Sequence, residues 1–85
     1  MRSLERISRD HGRVVEAWGV SAPDDLKASA WVTGIKHGKL EIGVNNAAIR
    51  HRVDRWLRSG GLETIRDVGK VRIKAVTLRI ESKTN

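Results

Sequence analysis

Between Ala30 and Asn45 the chain reads as two alternating runs, AWVTGIK and KLEIGVN, with only His37-Gly38 between them. A two-residue link ending in glycine marks a hairpin, because the tight turns that suit twisted antiparallel strands need positive φ. The expected strands are 30–36 and 39–45. The register that follows sets Ile35 opposite Leu40, Thr33 opposite Ile42 and Trp31 opposite Val44 on one face. Ala30, Val32, Gly34, Lys36, Lys39, Glu41 and Gly43 fall on the other. One face is bulky and apolar while the other is small or charged, so helices must cover the first and leave the second open.

The rest of the chain supplies those helices. Leu4, Ile7, His11, Val14, Val15 and Trp18 recur at three–four spacing, the pattern of an amphipathic helix, with Arg2, Arg6, Arg9 and Arg13 opposite. Gly12 weakens its middle and Gly19 is its expected stop. His11, within the stripe, reads as a buried, hydrogen-bonded imidazole. A short helical turn begins around Ser21–Asp25, with Pro23 early and Asp24 and Asp25 at the positive end of the dipole. Asn45-Asn46 caps a second long helix that buries Ile49, Val53, Trp56 and Leu57 and ends at Gly60-Gly61. Leu62 and Ile65 suggest one more short turn of helix.

A third strand is expected over 71–80, but its alternation slips. Val71 and Ile73 share one phase and Val76, Leu78 and Ile80 the other, so a bulge near Lys74-Ala75 is needed. The order helix, short helix, strand, strand, helix, strand implies an α+β fold. It is a two-layer sandwich, a three-stranded sheet with helices on one face. With 85 residues there is room for one domain, over 1–81, followed by a frayed tail at 82–85.

Chemistry is hard to place on this chain. There is no cysteine, which excludes disulfides, thiolate metal sites and a cysteine nucleophile. His11, His37 and His51 match no metal-ligand spacing, Asp24-Asp25 pairs only by adjacency, and no phosphate-binding GxxxxGK[ST] loop occurs. The expectation is no catalytic residue, no metal, no cofactor and no small-molecule substrate. The apolar runs are too short to span a bilayer and MRSLERISRD has no apolar signal core, so no membrane role and a cytoplasmic setting are expected.

Charge is the informative quantity. Seventeen Lys and Arg against ten Asp and Glu give +7, a balance that favours a polyanionic partner. In 46–61, Arg50, Arg52, Arg55 and Arg58 face Asp54 alone, with His51, Arg55 and Arg58 projecting away from the core stripe. In 70–85, Lys70, Arg72, Lys74, Arg79 and Lys83 face Glu81 alone. An Asp54–Arg58 pair at i, i+4 leaves the other arginines free. The expected nucleic-acid surface is Arg50, Arg52, Arg55, Arg58, Lys70, Arg72 and Lys74, with Lys36 and Lys39 rimming the open sheet face. With Trp31 in the core that face has no aromatic, so phosphate contacts rather than base stacking dominate. The alternative is an exposed Trp31 that serves as a stacking platform or partner anchor. Trp18 and Trp56 lie on helical core stripes and read as packing residues.

The ordered series VVEAW, AWVTGIKHGKLEIGV, IRHRVDRWL and KVRIKAVTLRI resembles the DciA family over residues 12–81. The features that carry it are Trp18 closing the first helix, Gly38 followed by Leu40-x-Ile42-x-Val44, and the basic, β-branched final strand. The resemblance implies a KH-like fold and a non-enzymatic role in bacterial DNA replication, in which the protein binds the replicative helicase and touches DNA. Here Gly19 follows Trp18 directly, Asn46-Ala47-Ala48 stands where an aromatic often opens the second helix, and no GxxG loop occurs. KH-like is therefore a statement of topology, without the backbone clamp of nucleic-acid-binding KH domains. A stand-alone module for DNA or RNA, without a helicase partner, is the alternative.

Overall fold

A computed structural model describes the backbone of residues 2–81 and the side chains of residues 10–81. The expected stripe positions Leu4 and Ile7, the arginines Arg2, Arg6 and Arg9, and the tail at 82–85 lie outside the described side chains. The elements are α1 (Arg2–Ser21), α2 (Asp24–Lys27), β1 (Ala30–Lys36), β2 (Lys39–Val44), α3 (Ala47–Trp56), α4 (Leu62–Gly69) and β3 (Ala75–Ile80). The sheet order is β1-β2-β3, with β1 and β2 antiparallel and β2 and β3 parallel. Helices cover one face of this mixed sheet, the expected two-layer α+β layout.

α1 runs unbroken through Gly12 and past Gly19, the stop the sequence suggests, to Ser21. Neither glycine has a neighbour that would need its missing side chain, and the helix end is held by Lys27, whose Nζ donates to the Gly19 carbonyl at 2.7 Å. A cation there complements the dipole. Among the described residues the buried stripe of α1 is Val14, Ala17 and Trp18, while Val15 is 44% exposed. This part of α1 packs on α4 and β1. His11 is half-buried and its buried Nε2 has no hydrogen-bond partner, contrary to the expected bonded imidazole.

The hairpin turns at His37-Gly38, both at positive φ (53° and 80°), as a primed two-residue turn requires. Ile35 pairs with Leu40 as expected. Beyond that the register departs from strict alternation: Gly34 pairs with Glu41 but Val32 with Ile42, so Thr33 is an extra, bulged residue. Trp31 then pairs with Gly43 and Ala30 with Val44. The Thr33 hydroxyl donates to the Glu41 carbonyl at 3.1 Å, which binds the bulge to the partner strand. One bulged residue reverses the phase of everything before it. Ala30 turns into the core, 2% exposed, and Trp31 turns out of it. On the core side, α1 and α2 both pack against β1, and Ala30 joins Trp18 and Leu26 in the buried cluster.

Asn46 caps α3, its Oδ1 accepting from the Ile49 amide at 2.9 Å; Asn45 lies outside β2. Val53 is fully buried and Leu57 nearly so. Trp56 is half-buried, packed edge to face on Trp18 with ring centroids 5.6 Å apart, a favourable aromatic geometry. A wide turn, Leu57–Gly61, then breaks at Gly60, whose φ is 116°. α4 is longer than the single turn expected and ends where Lys70 adopts the left-handed conformation. Residues 71–74 are extended but outside the ladder, so β3 starts at Ala75 rather than Val71. The slip in alternation falls where the Gly38 carbonyl accepts from two successive amides, Lys74 at 2.7 Å and Ala75 at 3.3 Å. Before it Val71 and Ile73 enter the core, and after it Val76 and Leu78 pack against the core's edge.

Candidate nucleic-acid interface

The nine expected contact residues are all exposed, but they do not form one patch. α3 and the turn after it carry four of them. Arg52 is paired across to Asp25 of α2, and Arg58 is paired to Asp54 at 3.2 Å, the expected i, i+4 contact. Arg50 and Arg55 enter no ion pair among the described residues. Arg50, with His51 and Asp54, borders a groove whose floor is Val76 and Leu78 of β3. The pairs do not remove Arg52 or Arg58 from reach of a ligand. Exposed pairs are worth only about 0.2–1 kcal/mol, and a phosphate can displace a carboxylate at that cost.

The second group sits at the turn end of the sheet. Lys36 and Lys39 are direct cross-strand partners, an arrangement in which like charges repel. Lys74 comes in beside them: its side chain lies against Gly38, where an added Cβ would be 3.1 Å from its Cγ. Among the described residues none of the three lysines has an ion-pair partner, and three cations thus share one corner of the molecule. Arg72 points outward from the same extended segment because Val71 and Ile73 point inward. Lys70 stands exposed at the start of that segment.

Arg66 fixes this segment, although no pattern in the sequence points to it. Its guanidinium donates twice to the Ile73 carbonyl, from Nε at 3.1 Å and Nη2 at 2.6 Å. The bond satisfies a carbonyl that no ladder reaches, so the 70–74 cations are held on an anchored backbone. An arginine seven residues before its acceptor has no sequence signature, and only the return of the chain after α4 brings the two together.

The open sheet face also departs from expectation. Strict alternation leaves it without an aromatic, but the Thr33 bulge puts Trp31 there, half-buried and lying over Gly43. An added Cβ at Gly43 would come within 2.6 Å of the indole Nε1, so the ring rests in space that only glycine leaves. Gly43 is buried although it faces the open side. Arg79 of β3 is the partner of Gly43 on its other flank. The one signal for this in the sequence is a small residue, Gly43, on the strand that faces the tryptophan.

No group of three or more His, Asp or Glu among the described residues could hold a metal ion, and no described helix is long and apolar enough to cross a membrane. No protein-family model matches the chain, and no curated protein does.

Proposed function

We propose that the protein is a non-enzymatic accessory module of bacterial DNA replication that binds the replicative helicase and contacts DNA through its basic surface. One observation supports the DNA contact above all. Arg50, Arg55, Arg72, Lys74, Lys36 and Lys39 are exposed and enter no ion pair among the described residues. In a chain of net charge +7 such cations keep their full attraction for phosphate. Contacts of this kind are insensitive to sequence and weaken steeply with salt, because each releases a condensed counterion. The helicase half of the reading is supported by the DciA-like series of motifs over 12–81 and the KH-like order of elements that goes with it.

The test has two arms: co-purification with the host's replicative helicase, and oligonucleotide affinity across a salt series. Association at micromolar concentration together with a steep salt slope supports the proposal. Oligonucleotide binding without helicase association assigns the alternative, a stand-alone DNA- or RNA-binding module. Absence of oligonucleotide binding at low salt overturns both.

A further inference from the structure

We infer that the open face of the sheet is a groove for single-stranded nucleic acid, with Trp31 as the surface for a base and the turn-end lysines as the seat of a phosphate. The inference rests on the nucleic-acid reading of the basic surface and extends it to the open sheet face, where an exposed Trp31 was the alternative to a buried one.

Three rows of cross-strand partners make up this face. At one end Trp31, Gly43 and Arg79 lie side by side; in the middle are Gly34, Glu41 and Thr77; at the turn end are Lys36, Lys39 and Ala75. A shallow groove over the middle and turn-end rows is lined by Gly34, Lys36, His37, Lys39, Glu41 and Thr77. The two ends of the face differ in chemistry. One has a half-buried indole with a guanidinium two strands away, and the other has two unpaired ammonium groups with Lys74 beside them. The two end rows are four residues apart along β2, about 13 Å at ~3.3 Å per residue, a span that an extended strand of two to three nucleotides covers.

The combination selects a ligand. A duplex keeps its bases stacked on one another and offers an aromatic only phosphate and sugar. A single strand can turn a base onto the indole while its backbone runs to the lysines, the arrangement that single-strand binders use. The Lys36–Lys39 repulsion is unfavourable in the free protein and is relieved when an anionic phosphate sits between them. Against these cations the three rows hold one carboxylate, Glu41, turned toward Thr33 with its Oε1 3.5 Å from the hydroxyl.

The experiment compares a fluorescent thymidine oligomer of about 12 nucleotides with a duplex of the same length, for the wild-type protein, Trp31→Ala and Lys39→Glu. Both substitutions are on the open face, outside the buried core, and thermal melting checks that each variant folds. The expected result is that wild-type protein prefers the single strand. Trp31→Ala is expected to lower that affinity about tenfold or more, with duplex affinity changing less than about twofold. Lys39→Glu is expected to lower single-strand affinity too and stands in if Trp31→Ala does not fold. Wild-type binding to duplex and single strand that neither variant alters overturns this inference and leaves the basic-surface reading intact. Failure of the wild-type protein to bind either oligomer at low salt overturns both.

Discussion

Gly43 and Trp31 act as one unit. The indole lies where the glycine has no side chain, so Gly43→Ala forces the ring to move: the new Cβ would stand 2.6 Å from Nε1. Because Trp31 is on an open face it can swing outward rather than strain the core. The expected outcome is a red shift of tryptophan emission with a stability decrease of ~1–3 kcal/mol, read by fluorescence during urea unfolding. The other two indoles differ in depth. Trp18 is 5% exposed and Trp56 only half-buried, so Trp18→Ala should cost ~3–5 kcal/mol and Trp56→Ala less. Equal midpoints for the two variants would contradict this packing. Both are legible as packing residues from helical spacing. Trp31 is not, because its side depends on one bulged residue two positions away.

Among the elements, α3 has the most clearly encoded ends. Asn46 bonds the Ile49 amide, and Asn46→Ala should lower stability by about 1 kcal/mol in thermal unfolding without changing nucleic-acid affinity. Beyond its other end, in the wide turn Leu57–Gly61, Gly60 has φ of 116°, a conformation side chains rarely adopt. Gly60→Ala should therefore cost on the order of 1–3 kcal/mol; a melting temperature equal to wild type would show that the joint between α3 and α4 accommodates a side chain. Both ends can be located from sequence, since caps and glycine breaks are local. Sequence pattern shortens α4 and lengthens β3 for the opposite reason. Val71 and Ile73 alternate like a strand whether or not a neighbouring strand bonds them, and alternation alone does not reveal a ladder.

At the scale of the molecule, the nine expected contact cations are divided between the outer side of α3 with the turn after it and the turn end of the sheet. Cations already paired should contribute less than unpaired ones. Replacing Arg50 and Arg55 with Ala should flatten the salt dependence of DNA affinity by roughly 0.7–0.9 units for each phosphate that is no longer neutralised. Arg52→Ala should change that slope less and instead loosen the packing of α2 on α3, where it pairs with Asp25. A larger slope change from Arg52 than from Arg55 would move the interface toward α2. Every one of these cations can be named from sequence, but their grouping depends on the parallel β3, which carries Lys74 back to the hairpin turn.

Composition and periodicity by themselves determined a small basic α+β domain, its hairpin turn, the N-cap of α3 and the burial of Val14, Trp18, Val53 and Leu57 on its helices. Each of these is set by interactions within a few residues or by side-chain period. Tertiary structure alone decided the strand order, the bulge at Thr33, the outward turn of Trp31 and the anchoring of residues 70–74 by Arg66. The placement of the indoles depends on long-range packing: α1 and α2 pack beneath β1, Ala30 faces inward, and the third indole is left on the open face.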